Sequence, residues 1–336
     1  MANPPKVVFL GRIAPPREVL EPPLTAIGAS LTAASARNED EIIAACQDAN
    51  AIIIHGRADV TARVLAALPR CRVIAKTGVG VDKMDVEAAT AHGILICNAP
   101  AGNTQEVADQ TLGLLLAITR KFVKTHGYVR SGRWTAAGDV HAVRGPTHRL
   151  EGRTLGILGL GRIGTAVARR AEGFGLRVIA HDPYLSAETA AERGATLVER
   201  DDLFRQAHVV TIHAPLTAET RRSVGAREFG LMAPGSYFLN CARGGIVDHA
   251  ALLAALQSGH LDGAALDVTD PEPLPTDSPF YALDNVIITA HTAANSEESF
   301  LDVCSHAARC VADALAGRLP SSPINPAAFR PAVAAT

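Results

Sequence analysis

The sequence predicts an α/β fold built on parallel sheets, and two observations support this prediction. Short apolar runs alternate with amphipathic helical segments along nearly the whole chain of 336 residues. The runs are continuously apolar, which indicates strands buried on both faces, as in parallel sheets covered by helices. Near the middle of the chain, a glycine-rich turn at residues 159–164 joins one such strand to a helix. This arrangement predicts a doubly wound sheet that binds a nucleotide.

The first hundred residues contain four predicted strands with helices between them. The strands are 7–10, 51–54, 73–75 and 94–97, and the helices include 39–45, 62–67 and 85–91. Residues 98–103 contain Pro100 and Gly102 and break the pattern, as a loop or hinge would.

The remainder begins with a long predicted helix at 104–124. Residues 125–150 are less regular and carry the only tryptophan, Trp134, so they form either a surface arm or an oligomer contact. A last helix is predicted at 297–315, and the tail from Pro320 is expected to fray. Six further strands are predicted at 154–158, 177–181, 209–212, 236–239, 263–266 and 286–289.

The glycine turn has the spacing of a dinucleotide-binding site. Gly159 permits the tight turn, Gly161 lets backbone approach a pyrophosphate, and Gly164 lets the helix pack on the strand. The N-terminus of the helix offers unpaired N–H groups to the phosphates. Asp182, at the end of the next strand, can accept hydrogen bonds from ribose hydroxyls and would repel a 2′-phosphate, so the predicted cofactor is NAD.

Three residues near the ends of predicted strands form the candidate catalytic set. Arg243 can bind a carboxylate with its fork of donors, and His291 can exchange a proton near neutral pH. Glu272 can orient the histidine and favour its protonated form. Each residue alone has an ordinary alternative: a surface arginine, an exposed loop acid or a core histidine. Their positions near the ends of successive strands favour a common site for 2-oxo acid reduction.

Composition excludes several other classes of function. The formal charge is −2 and no long run of one sign occurs, which argues against nucleic acid or a membrane surface as the main partner. The six cysteines are scattered without a C-x-x-C pair, which predicts neither a disulfide framework nor a metal site. The first residues lack the apolar core of a signal peptide, so a cytoplasmic protein is expected.

The chain resembles the NAD-dependent D-isomer-specific 2-hydroxyacid dehydrogenases from about residue 7 to residue 319. The resemblance rests on residues 159–164, 240–248 and 265–268. It implies two Rossmann-like doubly wound parallel-sheet domains, with an NAD-binding domain at 103–294 inserted into a flavodoxin-like substrate domain at 1–102 and 295–336. It also implies a catalytic set at Arg243, Glu272 and His291, a substrate cleft between the domains, and a homodimer formed through the nucleotide domain.

The resemblance assigns further residues to the two ligands. Backbone amides of Val79 and Gly80 would hold the substrate carboxylate, and Asp267 would hold the nicotinamide carboxamide. The Cys241 thiol is interpreted as packing near the cofactor and not as a nucleophile. The implied cofactor contacts are Gly159, Gly161, Arg162, Ile163, Gly164, Asp182, Ala214, Thr220, Cys241, Ala242 and Asp267.

The substrate itself stays open at this point. The run at 240–248 is very similar to that of 3-phosphoglycerate dehydrogenases, yet those enzymes have arginines where this chain has His55 and Lys76. Arg57 could compensate. The expected reaction interconverts a small 2-oxo acid and its (R)-2-hydroxy acid, with 3-phosphoglycerate, hydroxypyruvate and glyoxylate as candidates. The alternatives are an NAD-sensing protein like the C-terminal-binding corepressors and a phosphonate-type dehydrogenase.

Overall fold

The computed structural model describes residues 4–331, which form two compact units. One unit, called the split unit, contains the chain up to residue 103 together with the chain from residue 295. The other, called the central unit, is residues 104–294. Each unit has its own wholly parallel sheet with helices packed against it. The predicted fold class is therefore confirmed.

The split unit has a five-stranded sheet in the order β2-β1-β3-β4-β5. This is the flavodoxin-like order. The strands are β1 (Lys6–Leu10), β2 (Ser30–Ala34), β3 (Ala51–Ile54), β4 (Val73–Lys76) and β5 (Leu95–Cys97). Strand β2 was missing from the sequence-based prediction. It lies at the edge of the sheet and is largely exposed, so it lacks the continuous apolar run of a buried strand.

The central unit has a seven-stranded sheet in the order β12-β11-β10-β9-β6-β7-β8. The two-residue edge strand β8 is an addition to the six predicted. Strands β6 and β9 are neighbours although two strands separate them in sequence, which makes the point between them a topological switch point. Ligands of such sheets bind outside the carboxyl ends of the strands at this point. The strands are β6 (Thr154–Leu158), β7 (Arg177–His181), β8 (Thr196–Leu197), β9 (Val209–Ile212), β10 (Ser236–Asn240), β11 (Leu261–Leu266) and β12 (Val286–Ile288).

The helices begin at local signals, and several start at a side chain that accepts a hydrogen bond from the first turn. Asn38, Asp85 and Ser296 are such caps. The helices of the split unit are α1 (Arg17–Thr25), α2 (Glu39–Cys46), α3 (Ala62–Ala66), α4 (Val86–Ala91) and α13 (Glu297–Leu315). Those of the central unit are α5 (Thr104–Thr119), α6 (Phe122–Arg130), α7 (Val140–Arg144), α8 (Arg162–Glu172), α9 (Ala187–Glu192), α10 (Arg200–Gln206), α11 (Ala226–Leu231) and α12 (His249–Gln257).

Two predicted segments differ from the structure. The helix expected at 104–124 ends at Thr119, because Lys121 adopts a left-handed backbone with φ +58° and a new helix, α6, begins at Phe122. The tail from Pro320 was expected to fray, but up to residue 331 it packs against the split unit. Asn325 accepts a hydrogen bond from the Ile96 N–H (2.7 Å) and donates one to the Ile94 carbonyl (3.0 Å), which fixes the tail to edge strand β5. Residues 332–336 lie outside the described part of the chain.

Apolar clusters cover both faces of each sheet. In the split unit, one cluster lies under α2, α3 and α4, and the other includes α13 residues such as Ala307 and Val311. In the central unit, one includes α5 and α8 and the other α10, α11 and α12. Both faces of each sheet are thus covered, and ligands of such sheets bind at the carboxyl edge. Across residues 4–331, every helix is too short or too polar to cross a bilayer.

Candidate active site

The three glycines of the central turn occupy different steric environments. Gly159 has φ +92°, and a Cβ there would lie 2.7 Å from the Ala214 backbone nitrogen. A Cβ at Gly164 would lie 2.3 Å from the Gly159 carbonyl oxygen, so α8 packs directly on the turn. A Cβ at Gly161 would meet no atom within 4 Å. Glycine therefore leaves open space at the one position where a pyrophosphate needs to approach the backbone.

The start of α8 suits a pyrophosphate group, and the residue after β7 suits a ribose. Helix α8 begins at Arg162 and Ile163 with Gly161 as its N-cap, which provides no capping side chain for the first N–H groups. Asp182 follows β7 directly, and its carboxylate accepts the N–H groups of Leu160 (3.0 Å) and Tyr184 (3.1 Å). These bonds hold Asp182 against the glycine turn and leave lone pairs for ribose hydroxyls.

The other predicted cofactor residues follow strands β9 and β10. Ala214 borders Gly159, and the Thr220 hydroxyl donates to the Pro215 carbonyl (2.6 Å), closing the 215–220 turn. Cys241 and Ala242 follow β10. Burial raises the pKa of the Cys241 thiol to about 12, so a nucleophilic thiolate is disfavoured at this position. Across residues 4–331 no cluster of three or more histidine, cysteine or carboxylate side chains could hold a metal ion.

The segment carrying Arg243 is fixed by a buried amide. Asn240 is fully buried, donates from Nδ2 to the Arg243 carbonyl (2.9 Å) and accepts the Ala242 N–H (2.9 Å). A Cβ at Gly244 would lie 2.1 Å from the Thr269 carbonyl, so this segment presses against the chain that follows β11. Arg243 itself is half-buried and donates from Nη1 to the Ala242 carbonyl (2.7 Å). The backbone of Arg243 is thus fixed by Asn240, and its guanidinium bonds to the preceding carbonyl.

His291 and Glu272 form the predicted pair. The Nδ1 atom of His291 lies 2.8 Å from Oε1 of Glu272, and both side chains are partly exposed, at 33% and 23%. His291 has φ +54°, a backbone conformation that is unfavourable for a residue with a Cβ. Because Nδ1 faces the carboxylate, Nε2 is the ring nitrogen suited to exchange a proton with a ligand.

Asp267 holds the segment that carries His291. Its carboxylate is 1% exposed and accepts hydrogen bonds from the Thr289 hydroxyl (2.5 Å) and from the N–H groups of Thr292 (3.0 Å) and Ala293 (3.0 Å). Its carbonyl also accepts the His291 N–H (2.9 Å). These contacts hold His291 in its left-handed conformation. A carboxylate offers about four acceptor positions, so one remains for a donor such as a carboxamide.

The catalytic candidates lie at one edge of the sheet. Arg243 comes after β10, Glu272 in the segment after β11 and His291 after β12, and these three strands are parallel neighbours. The edge therefore presents a cation, and an imidazole backed by a carboxylate. Such groups can bind a carboxylate or carbonyl oxygen and transfer a proton to it.

In the split unit, the predicted carboxylate loop follows β4. Gly78 has φ +152°, and its carbonyl accepts the Ala99 N–H (2.9 Å), while Asn98 donates from Nδ2 to the Val79 carbonyl (2.8 Å). Both bonds use carbonyl groups, so they leave the N–H groups of Val79 and Gly80 on the other side of the peptides. Val79 is 39% exposed, which keeps the loop accessible to a small anion.

The predicted substrate side chains adjoin this loop. His55 follows β3, and its Nδ1 lies 2.8 Å from the Thr77 hydroxyl. Lys76, the last residue of β4, donates from Nζ to the Gly56 carbonyl. Arg57 is exposed. Strands β3 and β4 are parallel neighbours, so His55 and Lys76 lie at the same edge.

Sequence analysis missed two groups that position the site. Asn240 was noted only as part of the 240–248 run and Thr289 only as the last residue of a predicted strand, yet their side chains fix the Arg243 and Asp267 segments. His213 likewise received no role of its own, although it follows central strand β9 and its buried Nδ1 atom has no hydrogen-bond partner among the described residues. The available signal was a polar residue directly after an apolar run, and it does not distinguish these supporting roles from catalytic ones.

Fold and site together define a dinucleotide-binding α/β protein with an acid–base pair at the carboxyl edge of its sheet. Residues 112–293, about half of the chain, match the family model described as the D-isomer specific 2-hydroxyacid dehydrogenase, NAD binding domain. The chain therefore belongs to the D-isomer specific 2-hydroxyacid dehydrogenase family, and its cofactor is NAD.

Relatives and solved structures agree with this assignment. The D-3-phosphoglycerate dehydrogenase of Methanocaldococcus jannaschii is 38% identical over 293 residues, which cover 87% of this chain and 55% of that protein. The D-3-phosphoglycerate dehydrogenase of Archaeoglobus fulgidus is 39% identical, with 79% of this chain and 49% of that protein covered. This chain thus spans about half the length of these relatives.

Two solved structures match over nearly the whole chain. The TT0316 protein from Thermus thermophilus has a TM-score of 0.85 at 36% identity, covering 95% of this chain and 99% of that one. A glyoxylate reductase from Paecilomyes thermophila has a TM-score of 0.84 at 26% identity, covering 96% and 99%.

Proposed function

We propose that this protein is an NAD-dependent oxidoreductase that interconverts a small 2-oxo acid and its (R)-2-hydroxy acid. The central unit is assigned as the NAD-binding domain, and the split unit as the substrate domain. The observation that carries the proposal is the His291–Glu272 pair, 2.8 Å apart, held at the strand edge by Asp267. An acid–base pair of this kind is required when a carbonyl oxygen must gain a proton during reduction.

In this mechanism the chain binds the acid through two kinds of group. The amides of Val79 and Gly80 hold the carboxylate, and Arg243 binds carboxylate and carbonyl oxygen, which polarises the carbonyl. Bound NADH supplies the hydride. His291 then donates its Nε2 proton to the carbonyl oxygen, and Glu272 stabilises the ring while it is positively charged. In the reverse direction, neutral His291 accepts the hydroxyl proton.

The cofactor contacts in this proposal are those predicted from the sequence. The turn glycines, Arg162 and Ile163 hold the pyrophosphate, and Asp182 holds the ribose. Asp267 uses its remaining acceptor position for the carboxamide, in addition to its contacts with the 289–293 segment. Ala214, Thr220, Cys241 and Ala242 shape the remainder of the site.

The experiment is a nicotinamide absorbance assay with a panel of 2-oxo acids and NADH or NADPH. We expect turnover of at least one acid with NADH, and a loss of roughly 10²-fold or more in kcat/KM for Arg243→Ala, as for removal of a group that stabilises developing charge. Absence of turnover with every acid, despite NADH binding, would support a cofactor-sensing protein instead. Phosphite with NAD belongs in the same panel, because its oxidation would change the substrate class.

The proposal includes a cytoplasmic homodimer formed through the central unit. Apolar side chains on and after α6 are exposed there, namely Phe122 (54%), Val123 (60%) and Trp134 (65%). Exposed large apolar side chains on one segment of the chain favour a subunit interface. The six cysteines are all free and buried, in agreement with a reducing compartment. Light scattering of the purified protein and of Trp134→Ser tests the dimer, since the variant should dissociate at a higher concentration than the wild type.

A further inference from the structure

The imidazole of His249 links the segment after β10 to the segment after β11. His249 is the first residue of α12, and its Nδ1 atom lies 3.2 Å from the Val247 carbonyl oxygen, in the segment that carries Arg243. Its Nε2 atom accepts the Asp270 N–H (3.3 Å), two residues before Glu272. Both partners are backbone groups, so the ring fixes the course of the chain on both sides.

The two partners of the ring select one hydrogen-bonding state. A carbonyl oxygen can only accept, so Nδ1 carries a hydrogen, and a backbone N–H can only donate, so Nε2 carries none. The ring is therefore neutral. Burial is the main cause that lowers the pKa of His249, and the charge of Arg222 acts in the same direction. The Val247 carbonyl and the carboxylates of Asp270 and Asp248 oppose this shift without cancelling it.

Close packing supports the link between the two segments. A Cβ at Gly244 would lie 2.1 Å from the Thr269 carbonyl oxygen and 2.7 Å from the Asp270 nitrogen, so the two backbones touch. Phe280, which is 5% exposed, packs edge to face on the imidazole of His249, with ring centroids 5.9 Å apart and 75° between the planes. The ring is thus held by a buried aromatic side chain while its nitrogens bond to the two segments.

The position of Glu272 depends on the segment that His249 holds. The Thr269 hydroxyl donates to the Pro271 carbonyl (2.9 Å), which closes a turn directly before Glu272. The Glu272 carboxylate then lies 2.8 Å from Nδ1 of His291. A shift of the 269–271 turn would change this distance, and a misplacement of about 1 Å can lower a rate by roughly 10²-fold.

We infer that His249 is a positioning residue of the proposed reaction: its neutral ring fastens the segment after β11 to the segment after β10 and so holds Glu272 beside His291. The inference rests on the proposed function, because it assigns how the acid–base pair of that reaction is kept in place. The role requires no contact between His249 and substrate or cofactor.

The kinetic test uses His249→Leu and His249→Gln, assayed with NADH and the 2-oxo acid that the wild type reduces fastest. His249→Leu keeps an apolar contact with Phe280 but removes the acceptor for the Asp270 N–H. We expect kcat to fall by about tenfold or more, while the KM for NADH stays within a few-fold of wild type. His249→Gln can place a carbonyl oxygen where Nε2 lies and should recover most of the lost kcat.

His260→Leu is the matched control in the same unit. The His260 ring bonds to a backbone carbonyl, that of Phe229 (3.0 Å), but His260 lies before β11, at the opposite end of that strand from Glu272. Its loss should leave kcat within about twofold of wild type. A fall in kcat as large as that of His249→Leu would mean that any lost ring contact in this unit has the same effect, and would overturn the inference.

A double-mutant cycle tests whether the effect passes through Glu272. In a Glu272→Ala background no carboxylate is left to position, so adding His249→Leu should lower kcat by less than about twofold. An equal loss in both backgrounds, or no loss in His249→Leu alone, would overturn the inference. Should His249→Leu not fold, His249→Asn replaces it in each comparison, because it can keep the bond to the Val247 carbonyl but is too short to reach Asp270.

Hydrogen exchange provides a result that does not depend on activity. Amide exchange in peptides covering residues 268–274, measured by mass spectrometry, should be faster in His249→Leu than in the wild type and His249→Gln, because the Asp270 N–H loses its acceptor. Unchanged exchange, with normal turnover by the wild type, overturns the inference alone. If the wild type reduces no 2-oxo acid, the proposed function fails and the inference fails with it.

Discussion

The carboxyl edges of the two sheets are built in different ways. At the edge of the central sheet, Asp267 and Asn240 are almost completely buried and hold the segments of His291 and Arg243 through side-chain hydrogen bonds. At the edge of the split-unit sheet, the 78–80 loop offers backbone amides and is held by Asn98. Proton transfer requires side chains in fixed geometry, so their supporting contacts are buried. In the proposed function the 78–80 loop binds a carboxylate, which needs only N–H donors, so the side chains around the loop would be left to select the substrate.

The largest effect should come from the acid–base pair. His291→Asn removes the ring that exchanges the proton, and we expect kcat to fall by roughly 10²–10⁴-fold. NADH binding, measured by fluorescence titration, should stay within a few-fold of wild type. His126→Asn, an exposed substitution on α6, serves as control. Near-normal turnover in His291→Asn would mean that the central edge does not provide the acid.

The second-largest effect is expected at Asp267, the buried carboxylate that holds the segment of His291. Asp267→Asn keeps the shape of the side chain but turns one acceptor oxygen into a donor, which then faces either the Thr292 N–H at the Oδ1 position or the Ala293 N–H at the Oδ2 position. The free energy of unfolding should fall by about 1–3 kcal/mol. Displacement of His291 should lower kcat by about tenfold or more, since each 1.4 kcal/mol of barrier is a factor of ten. Urea unfolding and steady-state kinetics measure both. A loss of stability with unchanged kcat would separate Asp267 from the positioning of His291.

A smaller effect, on cofactor preference, is expected at Asp182, the residue proposed to bind the ribose. Asp182→Ala removes the carboxylate that disfavours a 2′-phosphate and that accepts the Leu160 and Tyr184 N–H groups. The KM for NADH should rise, and the preference for NADH over NADPH should shrink by about tenfold. Asp48→Ala, exposed in the split unit, should change neither. An unaltered cofactor preference would show that the contacts of Asp182 are only structural.

The smallest effect tests a feature that the two edges share, a half-buried histidine whose pKa is lowered. Burial lowers the pKa of His213 to about 3, and burial with Lys76 lowers that of His55 to about 4. Below about pH 6.5, the unfolded chain binds protons that the folded rings do not, so stability falls as the pH drops from about 6.5 toward 4. Each histidine contributes at most about 1.4 kcal/mol per pH unit. Urea unfolding at pH 7 and pH 5 should show a smaller pH dependence in His213→Gln and His55→Gln. Equal pH dependence in all three proteins would contradict burial of neutral rings.

Sequence analysis succeeded where the signal was local. The spacing of Gly159, Gly161 and Gly164 was enough to predict a dinucleotide turn, because each position in the turn has a different steric requirement. The catalytic candidates were chosen because they follow apolar strands, and parallel strands bring their ends to one edge. Their catalytic roles stay predictions. The short edge strands β2 and β8 escaped prediction, since exposed or two-residue strands have no continuous apolar run.

By itself, the sequence determined the fold class, the buried strands, the dinucleotide turn and the residue types available for acid–base chemistry, since all of these follow from patterns within a few neighbouring residues. Only the tertiary structure decided which distant groups meet. The Glu272 carboxylate reaches His291 across 19 residues, Asp267 holds a segment more than 20 residues away, and packing between two phenylalanine rings keeps His55 uncharged. Contacts and burial of this kind depend on how the chain packs, and packing is a property of the whole unit that no short window of sequence contains.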